Sequence, residues 1–156
     1  MSVLPSINEG RLAYSEVLDM TRKEAREQAF IMVFEKEFNT DYTLSEIIEA
    51  AEDAELFEVD DFAKNLTEQT LENMDRLDEY ISSKLKGGWK INRISKVSLA
   101  ILRLAVCEMV YFSDIPYSVS INEAVELAKK YAADEDSAFV NGLLASLSKG
   151  FASDET

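Results

Sequence analysis

Residues 115–142 read IPYSVSINEAVELAKKYAADEDSAFVNG, and the order of signals in this stretch predicts helices. Pro116 marks a turn, because a proline ring denies a preceding helix the amide donor and the space that it needs to continue. Ser120 and Glu123 then form a capping box, in which the two side chains satisfy free amide groups at a helix start. We therefore expect a helix from Ser120 to about residue 132.

A second helix is predicted at the end of the same stretch. Ser137 follows the acidic residues 134–136 and is expected to cap this helix. Asn122, Asn141 and Gly142 are poor helix formers in a helical context. We expect structural roles for them, with the amides satisfying buried backbone groups and the glycine allowing close helix approach. The apolar face of the last helix comprises Val140, Leu143, Leu144 and Leu147.

The upstream part of the chain also carries helical patterns. Residues 95–112 are apolar almost all round, and a helix without a polar face is buried by its neighbours. Two glycines at 87–88 are expected to end the preceding helix, and Trp89 to close the gap between two halves of the protein. Because β signals are nearly missing, the predicted fold class is all-α. Apolar spacing predicts a long helix that bends or breaks midway, through Phe62, Leu66, Thr70, Met74, Leu77, Ile81 and Leu85.

Two further capping boxes lie in the first fifty residues. Thr21 and Glu24 predict a helix that begins near Thr21 and ends near Asn39. Thr43 and Glu46 predict a short helix to about residue 54. The first of these helices has a wide apolar face, formed by Ala25, Ala29, Met32 and Val33 with Phe30, Phe34 and Phe38 alongside.

The residue types that are missing exclude most catalytic and metal chemistry. The 156 residues contain no histidine, which removes histidine bases, Ser-His or Cys-His nucleophiles and histidine metal ligands. The single cysteine, Cys107, cannot build a zinc site, and the five glycines form no phosphate loop. Chance carboxylate pairs among 30 acidic residues are the remaining catalytic alternative. We expect no catalytic residue, no metal, no cofactor and no enzymatic activity.

Further absences bear on location. No apolar run approaches the roughly 18 residues that a membrane span needs. Residues 1–20 lack the basic start and apolar block of a secretory signal. A lone cysteine that forms no internal disulfide suits a reducing compartment. We therefore expect a cytoplasmic protein that does not contact a membrane.

Charge is unevenly distributed along the chain, whose formal net charge is −14. Residues 40–80 contain 14 acidic and 2 basic side chains, whereas residues 81–112 contain 6 basic side chains and 1 acidic one. The second segment is therefore a basic strip in an acidic protein. An acidic flank and a basic strip predict two surfaces with different partners.

Arg22, Lys23 and Arg26 are the strongest candidates for phosphate contacts. Arg22 and Arg26 are four residues apart, which places them on the same side of the predicted helix. If the helix begins just before them, its free amide groups and its positive end also attract a phosphate. The alternative is a solvated helix face, with Glu27 and Glu35 nearby.

The stretch 115–142, together with Ile101, Leu102 and Arg103 upstream, resembles the NusB family of bacterial transcription antitermination factors. The resemblance covers about residues 21–150. It implies no catalytic activity and an all-α, NusB-like helical bundle, in which two three-helix-like halves share a central buried helix. The predicted division of the chain is an N-terminal extension at 1–20, a NusB-like RNA-binding domain at 21–150 and a tail at 151–156.

The resemblance also implies an RNA site. Family members carry an arginine-rich run where this chain has its three N-terminal cations, and they place the start of the last helix at the RNA. Phe34 and Phe139 are then candidate surfaces for base stacking, with a core position as the alternative. Asp136 would orient a basic side chain or accept from a base, or else act only as a favourable charge at the helix start. The implied RNA-binding residues are Arg22, Lys23, Arg26, Phe34, Asp136, Ser137 and Phe139.

The activity that the resemblance implies is binding of the single-stranded boxA element of nascent ribosomal-operon RNA. Binding would take place jointly with NusE, a ribosomal protein, and would keep RNA polymerase from terminating as part of an antitermination complex. The alternative is a NusB-like protein-interaction module without autonomous RNA binding. Whether the free chain forms a homodimer stays open at this point.

Overall fold

The computed structural model describes the backbone of residues 10–54 and 58–154 and the side chains of residues 22–54 and 58–152. This part of the chain is helical and contains no β-strand, which confirms the all-α prediction. None of its helices is long and apolar enough to span a bilayer. The helices are α1 (Gly10–Phe38), α2 (Leu44–Asp53), α3 (Asp61–Glu72), α4 (Met74–Ser82), α5 (Lys96–Tyr111), α6 (Tyr117–Tyr131) and α7 (Asp134–Asp154), with a short 3₁₀ turn at Ile91–Arg93.

The predicted central helix is α5. Ser95 caps it, since the Ser95 hydroxyl accepts a 3.1 Å hydrogen bond from the Ser98 amide. Every residue from Ser98 to Met109 is buried, and α1, α3, α4, α6 and α7 all pack against this helix. Burial of each large apolar side chain stabilises the fold by roughly 1.5–3 kcal/mol, so α5 is the axis of the core.

Helix α1 begins earlier than predicted. The prediction that it starts at Thr21 is wrong, because it starts at Gly10 and runs for 29 residues to Phe38. No proline or glycine interrupts residues 11–38, so nothing stops the helix from extending beyond the capping box toward the N-terminus. Its apolar face is buried as predicted, through Ala25, Ala29, Phe30, Met32 and Val33.

Helices α2 to α4 follow the predicted pattern more closely. Thr43 caps α2, accepting from the Glu46 amide at 3.2 Å and donating to the Glu46 carboxylate. The long apolar pattern is broken as expected, and Asn73 separates α3 from α4. The expectation that the two glycines end α4 is wrong, since that helix already ends at Ser82.

Both helices predicted from residues 115–142 exist, but each begins about one turn before its predicted capping serine. Helix α6 starts at Tyr117 with Pro116 as its cap, and Ser120 is buried inside the helix. Helix α7 starts at Asp134, and Ser137 lies within its first turns. The acidic residues are helical because carboxylates stabilise the positive end of a helix dipole. The predicted apolar face of α7 is buried: Val140, Leu143, Leu144 and Leu147.

The packing of the helices leaves two grooves at the surface. Helix α1 packs mainly against α3 and α6 against α7, and α5 contacts both pairs. One groove opens between α1, α3 and the turn that precedes α6. The other opens between the segment that follows α4 and the outer side of α7. The finer division into two three-helix-like halves stays a prediction.

Candidate nucleic-acid interface

We call the cavity of about 760 Å³ between α1, α3 and the α5–α6 turn the first groove. It is lined by the three predicted cations Arg22, Lys23 and Arg26, and Phe62 and Phe112 contribute to its apolar wall. Because α1 starts at Gly10, these cations lie in the middle of a helix, where amide groups are bonded within the helix. The predicted contribution of a free helix end to phosphate binding is therefore wrong.

Arg22 and Lys23 are exposed, and neither forms a salt bridge with any residue that the structure describes. The Arg22 guanidinium lies 3.9 Å from the centroid of the Phe62 ring. Such a cation–π contact contributes about 0.5–1 kcal/mol at an exposed site. It holds the guanidinium at the groove while its N–H groups stay available for an anion.

Arg26 is placed differently from the sequence prediction, since it is only 6% exposed. Its Nε and Nη2 donate to the two carboxylate oxygens of Glu108 at 2.9 and 3.0 Å. The Ser120 hydroxyl donates to the same carboxylate at 3.1 Å, which explains why this serine is buried. A guanidinium fork that already holds a buried carboxylate is not free to grip a phosphate in the same way. Arg26 instead ties α1 to α5 and α6.

Phe34 is half-buried in a row of aromatic rings along α1. Its ring centroid lies 5.8 Å from that of Phe30 and 4.9 Å from that of Phe38. Tyr131 at the end of α6 extends the row, 4.8 Å from Phe30. At the other end, the Lys96 ammonium lies 4.9 Å from the Phe38 ring centroid. Phe34 thus packs on the core and keeps part of its surface accessible.

Of the residues predicted at the start of the last helix, Phe139 is the most accessible, at 37% exposed. Asp136 and Ser137 are half-buried and bond to the helix start. The Asp136 carboxylate accepts from the Ala133 amide at 3.2 Å, and the Ser137 hydroxyl donates to the Asp134 carbonyl at 2.8 Å. Both side chains shape the first turn of α7, and their contact with RNA stays a prediction.

The second groove is a cavity of about 450 Å³ whose lining includes Lys84, Lys86, Trp89, Phe139, Gly142 and Leu143. This groove was not predicted from the sequence. Trp89 does not close a gap between halves, since it is 53% exposed. Asn122, Asn141 and Gly142 are exposed too, so their predicted packing roles are wrong. The signal that could have located the groove is the pair of lysines followed by a tryptophan within residues 84–89.

The predicted site residues do not form one cluster, because the two grooves share no lining residue. The three N-terminal cations line the first groove, Phe139 lines the second, and Phe34 belongs to the aromatic row on α1. That row ends at Lys96 in the first turn of α5, a few residues after Trp89 along the chain.

Two observations on the described residues bear on metal binding and thiol chemistry. No three histidine, cysteine, aspartate or glutamate side chains among them lie close enough to hold a metal ion. Burial raises the pKa of the Cys107 thiol to about 11, against an opposing hydrogen bond with Thr70, so this thiol is neutral near pH 7. The described residues form an all-helical protein with exposed cations and aromatic rings at two grooves, a surface suited to binding.

Comparison with known proteins gives the family. A family model described as "NusB family" matches residues 23–149. The transcription antitermination protein NusB of Agathobacter rectalis is 49% identical over 129 residues, which cover 81% of this chain and 98% of the relative. That of Bacillus subtilis is 45% identical over 128 residues, which cover 82% and 95%. The chain therefore belongs to the NusB family, a family of non-enzymatic transcription antitermination factors.

Solved structures agree with this assignment. NusB from T. maritima is similar with a TM-score of 0.72 and 35% identity, over 82% of this chain and 90% of that chain. A crystal structure of the antitermination factors NusB and NusE in complex with double-stranded RNA gives a TM-score of 0.73 at 26% identity, over 83% of this chain and 96% of that chain. The predicted family and the NusB-like all-α fold are confirmed.

Proposed function

We propose that this chain acts in transcription antitermination by binding single-stranded boxA-type RNA of ribosomal operons together with the ribosomal protein NusE. The observation that carries the proposal is the presence of two exposed cations, Arg22 and Lys23, at the first groove of a NusB-family chain. A similar chain in a solved structure is in complex with NusE and double-stranded RNA, which supports joint RNA binding with NusE. A cytoplasmic location and assembly with RNA polymerase belong to the same proposal.

The exposure and contacts of the site residues suggest a different role for each. Arg22 and Lys23 contact phosphates, because they are exposed and unpaired among the described residues. Phe34 and Phe139 offer partly accessible ring faces to bases. Arg26 positions Arg22 and Lys23, because its hydrogen bonds to Glu108 fix the part of α1 that carries these two exposed cations. Asp136 and Ser137 shape the helix start that positions Phe139.

The charge of the chain explains why a second protein takes part. A net charge of −14 repels RNA at long range, and few exposed cations compensate locally. A basic partner that docks on the acidic flank at residues 41–79 cancels part of this field and adds phosphate contacts of its own. RNA recognition is then shared between the two proteins.

A pair of titrations tests the proposal. Labelled single-stranded boxA-type RNA is titrated into the chain with and without NusE, and a scrambled RNA of the same length is the control. We expect binding at least about tenfold tighter with NusE, a coupling of roughly 1.4 kcal/mol. By linkage, RNA should tighten the protein pair by the same factor. Equal affinities in the two titrations would contradict shared recognition and favour the protein-interaction module.

A further inference from the structure

The second groove places Phe139, which the proposed function already assigns to bases, beside Trp89, Lys84, Lys86 and Gly142, which have no role in it. Trp89 and Phe139 expose 53% and 37% of their surfaces there. The Arg93 guanidinium lies 5.7 Å from the Trp89 ring centroid. A cation therefore covers one face of the indole and leaves the rest of the ring to a ligand. Two large exposed rings that line one cavity favour a ligand-binding site.

The turn before Trp89 presents its ring to the groove. Gly87 and Gly88 have φ values of 64° and 76°, a region that glycine adopts without strain. The Trp89 amide donates to the Lys86 carbonyl at 3.2 Å, which closes a four-residue turn around the two glycines. Lys86 and Trp89 therefore stand at the two ends of one tight turn, both on the groove.

Gly142 forms part of the groove on the α7 side, and helix packing does not explain it. A glycine inside a helix costs about 1 kcal/mol relative to alanine. A Cβ atom at this position would meet no atom within 4 Å, so no neighbour demands a glycine here. What the missing side chain provides is open space next to Phe139.

The rim of the groove is cationic in an acidic protein. Lys84 and Lys86 form no salt bridge with a carboxylate in the described part of the chain. Lys90 and Arg93 are exposed in the same segment. Cations that follow a backbone, together with aromatic faces that stack bases, are the usual means of holding single-stranded nucleic acid.

We propose that the second groove holds an unpaired base of the bound RNA, stacked on Trp89 next to Phe139, with the flanking phosphates at Lys84 and Lys86. The inference rests on the proposed function and extends the RNA-binding surface from α1 to the α4–α5 connection. A cavity of about 450 Å³ is within the usual size range of small-ligand sites. Stacking on an indole accepts any base, so this contact adds affinity more than sequence preference.

The chain contains one tryptophan, so its fluorescence reports on this groove alone. We titrate a single-stranded boxA-type oligonucleotide into the full chain with NusE and record tryptophan emission and the anisotropy of labelled RNA together. The Trp89→Phe complex supplies the background emission. We expect emission to be quenched with the same midpoint as the anisotropy change. Inorganic polyphosphate, which carries charge without bases, should leave the emission unchanged.

Three variants separate stacking from a structural role. Trp89→Ala should weaken RNA binding about 5- to 100-fold, the range for losing one stacked base. Tyr42→Ala removes a ring that is 48% exposed but does not line the second groove, and it should change affinity by less than about twofold. Gly142→Leu should fold at least as stably, because leucine favours helices and has space, yet it should weaken binding by filling the groove.

The outcomes are distinct. RNA binding with unchanged Trp89 emission, or wild-type affinity in both Trp89→Ala and Gly142→Leu, overturns the inference and leaves the proposed function intact. Quenching by NusE without RNA assigns the groove to the protein partner and also overturns it. An absence of RNA binding by the wild-type complex overturns the proposed function and this inference together.

Discussion

Arg22 and Arg26 lie one turn apart on the same helix and both lie near the Phe62 ring, yet only Arg26 is buried against a carboxylate. Arg22 is exposed above the Phe62 ring, whereas Arg26 is buried with its fork on Glu108. Their four-residue spacing gives both the same helix face, but α5 brings a carboxylate to only one of them. Whether an arginine on this face stabilises the fold or stays accessible to a ligand therefore depends on where a buried carboxylate lies, more than on residue type or spacing.

Arg103 on α5 is buried and paired with carboxylates in the same way as Arg26. Its Nε and Nη2 donate to Asp78, both at 2.8 Å, and Nη1 lies 3.4 Å from Glu37. Burial lowers the pKa of Arg103, but the hydrogen bonds and charges of the two carboxylates outweigh burial and raise it. An arginine inside an apolar helix must be paired or reach solvent, and Arg103 is paired. Both buried arginines are thus tied to carboxylates.

Charge reversal at Arg26 should have the largest effect. Arg26→Glu puts two carboxylates together in the interior, and breaking a buried pair costs about 3–5 kcal/mol of the free energy of unfolding. Arg22→Glu makes the same chemical change one turn away and should cost about 1 kcal/mol or less, since it loses only the exposed contact with the Phe62 ring. Urea unfolding followed by far-ultraviolet circular dichroism measures both variants. Similar losses in the two would show that burial does not separate these arginines.

The role of the exposed cations Arg22 and Lys23 is tested by the salt dependence of RNA affinity. Replacing both Arg22 and Lys23 by glutamate should remove the roughly two phosphate contacts that we propose for them. The slope of log affinity against log salt should therefore become shallower by about 1.4 for single-stranded RNA. The double variant Lys64→Glu with Lys129→Glu makes the same change in net charge at exposed residues that line neither groove. An equal change of slope in that control would point to general repulsion instead of contact.

The smallest effect is expected at a surface pair. Lys130 Nζ lies 2.6 Å from the Glu27 carboxylate, which also accepts from the Tyr131 hydroxyl. Burial raises the pKa of Glu27, but these hydrogen bonds and the Lys130 charge outweigh burial and lower it below its ordinary value of 4.5.

A depressed carboxyl pKa stabilises the folded state above the unfolded pKa, and this contribution is lost as pH falls through the folded pKa. Lys130→Met should therefore flatten the decline in stability below about pH 4.5 and change stability at neutral pH only slightly. Urea midpoints measured over a series of acidic buffers give this profile. Parallel profiles for the variant and the wild type would show that the pair carries no pH dependence.

Local rules were enough to predict most of the fold. The apolar run of α5, the Thr43 cap and the break near Asn73 depend on neighbours in sequence. The starts of α1, α6 and α7 were misplaced because a serine or threonine that suits a cap is also tolerated inside a helix. Ser120 shows the reason, since its hydroxyl is satisfied by Glu108 on another helix.

The site was less predictable than the fold, because its decisive contacts are distant in sequence. Arg26 and Glu108 are separated by 82 positions, and no spacing rule links them. The exposure of Trp89 and Gly142 likewise depends on how α7 lies beside the segment after α4. A sequence pattern can nominate a cation or a ring, and only the packed structure shows which surface it faces.

Helix α5 has a consequence for how such a chain can vary. With every residue from Ser98 to Met109 buried, a substitution there disturbs several neighbours at once. The outer sides of α1 and α7 carry no such restriction, since their exposed side chains touch mainly solvent. Single substitutions on these outer sides can therefore add or remove a cation or a ring without disturbing the core. The surface of a protein built this way can change while its interior stays the same.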